Sequence, residues 1–94
     1  MPGFVEPVTP VTIYTRRGCH LCDAMKAVVE RVGRSVAIEF QEVDISTDPA
    51  LEALYGPEIP VLFVAGRKAA KYRVGEIDLQ RILRARAGGS GKAG

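Results

Sequence analysis

The chain has 94 residues, enough for one small domain. Its 47% apolar content fits a packed core and excludes wholesale disorder, and no apolar run approaches the ~18–20 residues that span a bilayer. The net charge is +2 with acidic and basic residues mixed along the chain, too mild a balance to indicate nucleic-acid binding.

The first ten residues carry Pro2, Pro7 and Pro10 and no basic stretch, so they read as an extended lead-in rather than a secretory signal. Val11 to Thr15 is β-branched or aromatic at every position and predicts a first strand. Arg16-Arg17-Gly18 turns the chain. Leu21, Met25, Val28, Val29 and Val32 then recur at helical spacing, which predicts a helix from His20 to Val32 with Gly33 as its C′ residue. Val36 to Ile45 predicts a second strand. Its apolar positions change parity between Ile38/Phe40 and Val43/Ile45, as a strand covered on both faces or a bulge would require.

Asp48-Pro49 combines an N-cap acid with proline at N1 and starts a short helix that ends at Tyr55-Gly56. Val61 to Val64 predicts a third strand, Ala65-Gly66-Arg67 a hairpin turn, and Lys68 to Val74 a fourth, antiparallel strand. Ile77, Leu79, Ile82, Leu83 and Arg86 predict a last amphipathic helix starting between Gly75 and Asp78, with Arg81, Arg84 and Arg86 near its favoured C-terminal end. The glycine-rich tail from Gly88 to Gly94 has no apolar anchor and is expected to be mobile. The domain is thus expected over residues 11–87, in the order β-α-β-α-β-β-α. That is an α/β thioredoxin-like topology with a four-stranded mixed sheet.

The chemistry rests on the only two cysteines, in the sequence Cys19-His20-Leu21-Cys22 between the first strand and the first helix. Residues three apart on a helix share a face, so the two thiols can bridge. Cys19, at the helix start, gains from unpaired amides that stabilise a thiolate, and Arg16 and Arg17 add positive charge. A zinc site would need four ligands, and the one further candidate is His20, poorly placed to join both cysteines, so no metal is expected. The pair therefore reads as a redox site, and a CxxC pair without an export signal points to the cytoplasm, where disulfides are transient and catalytic. His20 either tunes this site or is simply an exposed first-turn residue. Tyr14, Tyr55, Tyr72, Phe40 and Phe63 read as core or partly buried packing.

Four landmarks occur in order: the CxxC, Ile59-Pro60 before the third strand, Gly66 in the hairpin, and Arg73-Val74-Gly75 before the last helix. With them the chain resembles the glutaredoxin-like family of the thioredoxin superfamily, from about Val11 to Ala87. The resemblance implies thiol–disulfide oxidoreductase activity on a protein or small-molecule disulfide. It implies Cys19 as exposed nucleophile, Cys22 as buried resolving thiol and a cis bond at Ile59-Pro60. Arg16, Ile59, Pro60, Gly75 and Asp78 would bind substrate, with glutathione as electron donor, no required cofactor, no membrane or nucleic-acid partner, and a monomeric state.

The chain departs from the family at His20-Leu21 between the cysteines, at Val74 in place of a glycine, and at Ile77 before Asp78, where Glu76 adds an acid. All three departures fall on the glutathione-facing side. Two other classes of function stay open: an iron–sulfur carrier holding a cluster through Cys19 of two subunits with glutathione, and a redox-inert interaction domain.

Overall fold

A computed structural model describes residues 8–89. Its elements in chain order are β1 (Thr9–Thr15), α1 (His20–Gly33), β2 (Ile38–Asp44), α2 (Pro49–Tyr55), β3 (Val61–Val64), β4 (Arg67–Lys71) and α3 (Glu76–Gly89). A short 3-10 turn over Gly56–Glu58 joins α2 to β3. The sheet order is β2-β1-β3-β4, with β1 parallel to β2 and antiparallel to β3, and β3 antiparallel to β4. This is the expected thioredoxin-like α/β fold.

Alternation along the central strands divides the sheet into two faces. Val11 and Ile13 of β1 and Leu62 and Val64 of β3 point to one face, where Met25, Val29 and Val32 of α1 and Leu79 and Leu83 of α3 cover them. On the other face Tyr14 of β1 stacks on Tyr55 of α2, ring centroids 4.6 Å apart, and Phe63 of β3 meets both rings edge-on. The parity change in β2 has the first of its two expected causes. The β1–β2 register is regular, so no bulge intervenes. Ile38 and Phe40 pack against the α1–α3 core, whereas Val43 pairs with Tyr14 on the α2 side.

Several boundaries differ from expectation. β1 starts two residues early, because Thr9 N–H bonds Ala37 C=O and carries the ladder past Pro10. Gly33 is the last residue of α1 rather than its C′ residue, and Arg34 caps the helix in the right-handed region. A side chain at Gly33 would bring its Cβ within 3.1 Å of Ile38 Cδ1, so this glycine gives β2 room rather than reversing the chain. β4 stops at Lys71 rather than Val74 because Tyr72 has φ +70. Arg73 N–H closes back on Lys71 C=O at 2.8 Å, a γ-turn of the rare positive-φ kind. Helix α3 continues through Gly89, since glycine weakens a helix without removing its backbone bonds. The rest of the expected mobile tail, residues 90–94, and most of the expected lead-in, residues 1–7, lie outside the described residues.

The β3–β4 hairpin turns on two residues, Ala65 and Gly66, with φ of 53° and 78°. Two positive values are what a type I′ turn requires, and they leave Arg67 to begin β4. An L-residue with a Cβ is disfavoured there by roughly 1–2 kcal/mol, and asparagine tolerates it best. Ala65→Asn is therefore expected to raise unfolding free energy by about 0.5–1 kcal/mol, measured by urea denaturation. An unchanged or lower midpoint would contradict the turn assignment.

Candidate active site

Cys19 occupies the N-cap of α1, with extended backbone at φ −98° and ψ 114°. Its Sγ accepts a hydrogen bond from Cys22 N–H at 3.1 Å, the role an N-cap serine or aspartate oxygen plays elsewhere. Gly18, at φ +78, makes the turn that brings the chain off β1 and onto this cap. Cys22 is the first rung of the stripe Cys22, Met25, Val29, Val32 that α1 buries. One thiol is therefore 2% exposed and the other half-exposed, on successive positions of one helix face. Burial pushes the Cys22 thiol up to about 12. The neighbouring Cys19 adds to the rise, and a hydrogen bond from the Arg16 backbone works against it. His20 is exposed at the first helical position.

A polar pocket opens beside the buried thiol, lined by Thr15, Arg16, Arg17, Lys26, Glu42 and Asp44 among others. Most of its charged groups are engaged. Lys26 Nζ lies 3.1 Å from Glu42, whose other oxygen accepts from Thr15 Oγ1 at 3.1 Å. Asp44 accepts from both the backbone and hydroxyl of Ser46, which lowers its pKa. Arg16 is also engaged, its Nε and guanidinium nitrogen bonding the two oxygens of Glu52 on α2 at 3.2 and 2.6 Å. A substrate carboxylate would meet an arginine that already has one.

The remaining expected site residues fall in two places. The Ile59–Pro60 peptide bond is cis, Pro60 is buried, and its C=O accepts from Tyr72 N–H at 2.8 Å. That bond ties the segment before β3 to the segment after β4. Gly75 lines an apolar groove together with Leu21, Met25, Tyr72, Arg73 and Val74, which brings the residue between the cysteines against the strand-to-helix connection. Asp78 is exposed, 3.6 Å from Arg81 on its own helix. Its carboxylate lies 3.7 Å from where a Gly75 Cβ would be. Glu76 points away from any ligand role, hydrogen-bonded to Arg31 of α1.

Sequence reasoning missed Glu52, because no local pattern says that a carboxylate on α2 reaches the end of β1. It also placed Tyr72 among the packing aromatics, whereas this ring is 42% exposed in the groove, with its hydroxyl donating to Pro57 C=O. Glu42 did carry a signal. It falls where Ile38 and Phe40 set an apolar alternation, a polar residue on a core-facing position.

A family model described as "Glutaredoxin-like domain (DUF836)" matches residues 10–84. The chain belongs to this family. Among solved structures of similar chains is the structural-genomics target protein XcR50 from X. campestris. It is 36% identical over 80% of this chain and 96% of its own, with a TM-score of 0.68. Protein Ne2328 from Nitrosomonas europaea is 28% identical, over 88% and 99% of the two chains, with a TM-score of 0.71. A mutant thioredoxin from Halobacterium salinarum is 20% identical over 84% and 74%, with a TM-score of 0.62, a likeness of fold. No curated protein matches the chain. The chain is thus a glutaredoxin-like member of the thioredoxin superfamily, a thiol-redox type of fold with its two cysteines close together. Among the described residues no helix is long and apolar enough to cross a membrane.

The raised Cys22 value has a consequence for stability. In the unfolded chain the thiol loses its proton around 9.0, whereas the folded protein holds it up to about 12. Stability contributed by this difference is present below pH 9 and is lost as pH rises toward 12. The reduced protein should therefore lose more stability than Cys22→Ala between pH 8 and pH 10.5, at no more than about 1.4 kcal/mol per pH unit. Parallel curves for the two proteins in chemical denaturation would contradict the burial of this thiol.

Proposed function

We propose that the chain is a thiol–disulfide oxidoreductase working through a Cys19–Cys22 dithiol–disulfide couple. The observation that carries this reading is the asymmetry of the pair. A half-exposed Cys19 sits at a helix cap within hydrogen-bond reach of the backbone of a buried Cys22. In the reductive direction the Cys19 thiolate attacks one sulfur of a substrate disulfide. A mixed disulfide forms and the first substrate thiolate leaves. Cys22 loses its proton and attacks Cys19 Sγ, the second thiolate leaves, and the two electrons delivered to substrate are matched by a Cys19–Cys22 disulfide.

The burial of Cys22 keeps it protonated while Cys19 is free, so the roles do not scramble. Two of the influences that raise it come from Cys19 itself, through a hydrogen bond and through charge. Formation of the mixed disulfide removes the Cys19 charge and eases the second deprotonation at the moment it is needed.

Glutathione is the proposed donor, two molecules restoring the dithiol and leaving as glutathione disulfide. Ile59, Pro60, Gly75 and Asp78 are proposed to receive the peptide-like thiol, supported by the groove that joins Gly75 to Leu21. Activity with glutathione is expected to be weak, because Val74 narrows this path and Arg16 is held by Glu52. A protein disulfide and a cytoplasmic site of action complete the reading, with the dithiol form as its resting state in that reducing compartment.

Two measurements test the proposal. Alkylation of the reduced protein at limiting reagent and neutral pH, followed by peptide mapping, should label Cys19 well before Cys22; the reverse order would overturn the roles. Equilibration against glutathione redox buffers should give one two-electron transition between dithiol and intramolecular disulfide. Cys22→Ser should instead accumulate a mixed disulfide at Cys19. A pair that stays reduced across every buffer would leave the fold as an interaction module.

A further inference from the structure

We infer that Glu52 is a specificity-determining residue: by holding Arg16 it removes a cation from the border of the dithiol and turns the site toward neutral or cationic disulfides and away from anionic ones. This rests on the proposed thiol–disulfide chemistry and assigns its substrate class.

Arg16 lies three residues before Cys19 and lines the same pocket as Cys22. An unpaired guanidinium here would attract a carboxylate-bearing disulfide and hold it beside the attacking sulfur. Glu52 forecloses that with a two-pronged contact at 2.6 and 3.2 Å. α2 ends at Gly56, and a Cβ there would stand 2.8 Å from Glu52 Oε1 and 3.2 Å from the Arg16 guanidinium. Gly56 thus leaves open the space in which these two long side chains meet.

The other cations offer little in exchange. Lys26 is tied to Glu42, and Arg17 shares the pocket with Asp23 and Asp44. With Glu52 counted, four carboxylates face three cations around the buried thiol, so the border of the site carries no net positive field to draw an anion in. The pair is about one-third exposed on each side, so its effect on an approaching substrate is a local charge effect that salt screens.

The test uses the full chain, prereduced, and three small disulfides that differ in charge: hydroxyethyl disulfide (neutral), dithiodipropionate (dianionic) and cystamine (dicationic). The quantity read is the second-order rate constant at which each oxidises the Cys19–Cys22 pair, with wild type, Glu52→Gln, Arg16→Ala and the double variant compared. Glu52→Gln should speed the dianion by about three- to ten-fold, slow the dication, and leave the neutral disulfide unchanged. Arg16→Ala alone bares the Glu52 carboxylate and should slow the dianion, and in the Glu52→Gln background it should abolish the gain.

In the wild type, dianion and neutral rates should respond alike to salt up to about 0.5 M, whereas the Glu52→Gln gain should fade. This arm holds even should a variant melt early. The inference is overturned if Glu52→Gln leaves the dianion-to-neutral ratio unchanged. It also falls if the Glu52→Gln gain for the dianion survives when Arg16→Ala is added. Failure of all three disulfides to oxidise the wild-type pair would instead bring down the redox reading, and this assignment with it.

Discussion

The stripe of α1 formed by Cys22, Met25, Val29 and Val32 is the constraint on which fold and site both depend. Three of its four residues lock the helix onto Val11, Ile13, Leu62 and Val64 of the central strands, each large apolar side chain contributing about 1.5–3 kcal/mol by burial. The fourth is a thiol. Because the same helical phase that buries Met25 also buries Cys22, this thiol is made inaccessible by core packing. Cys19, one turn earlier, falls at the N-cap, where the helix has an amide to spare and no core to fill. The difference in exposure between two chemically identical side chains thus follows from the register of one helix on a sheet.

Around that pair the charges are arranged in couples, not as a field. Glu52 holds Arg16, Glu42 holds Lys26 and Arg31 holds Glu76, each bridging two separate elements. Exposed pairs of this kind contribute little to stability, so their effect here is on what the site presents to a ligand. Arg16 and Glu76, the two charged residues with the clearest bearing on a carboxylate-bearing thiol, are both occupied within the chain. The apolar groove between Leu21 and the Tyr72–Gly75 connection is left as the unpaired feature beside the thiols, and the positive φ of Tyr72 shapes its wall.

Much of this was legible in the sequence because it is local. The N-cap and N1 signals of Asp48-Pro49 gave α2 its start, and Asp48 indeed accepts from Ala50 and Leu51 N–H. The likeness to the glutaredoxin-like family implied a buried Cys22, and Ala65-Gly66-Arg67 marked the hairpin, which turns on the first two of these residues. The end of β4 was not legible. Lys68 to Val74 reads as a continuous strand, and what stops it is the positive φ of Tyr72, where Arg73 N–H closes back on Lys71 C=O while Tyr72 N–H is held by Pro60 C=O, twelve residues away in sequence. Gly33 was misread for the same kind of reason: its neighbour is Ile38 of the next strand, a contact that exists only after α1 has packed.

The sequence by itself determined the elements, their order and the place of the cysteine pair, on which the likeness to the glutaredoxin-like family was built. These follow from periodicity, capping residues and turn glycines, whose energetics act within a few residues of chain. Only the tertiary structure decided which charges are free. Whether Arg16 greets a substrate or is held by Glu52 depends on α2 folding back across the sheet to bring a carboxylate within 2.6 Å, with a glycine to admit it. Electrostatic partnership is set by distance in space, and no pattern of residue types along the chain encodes that distance.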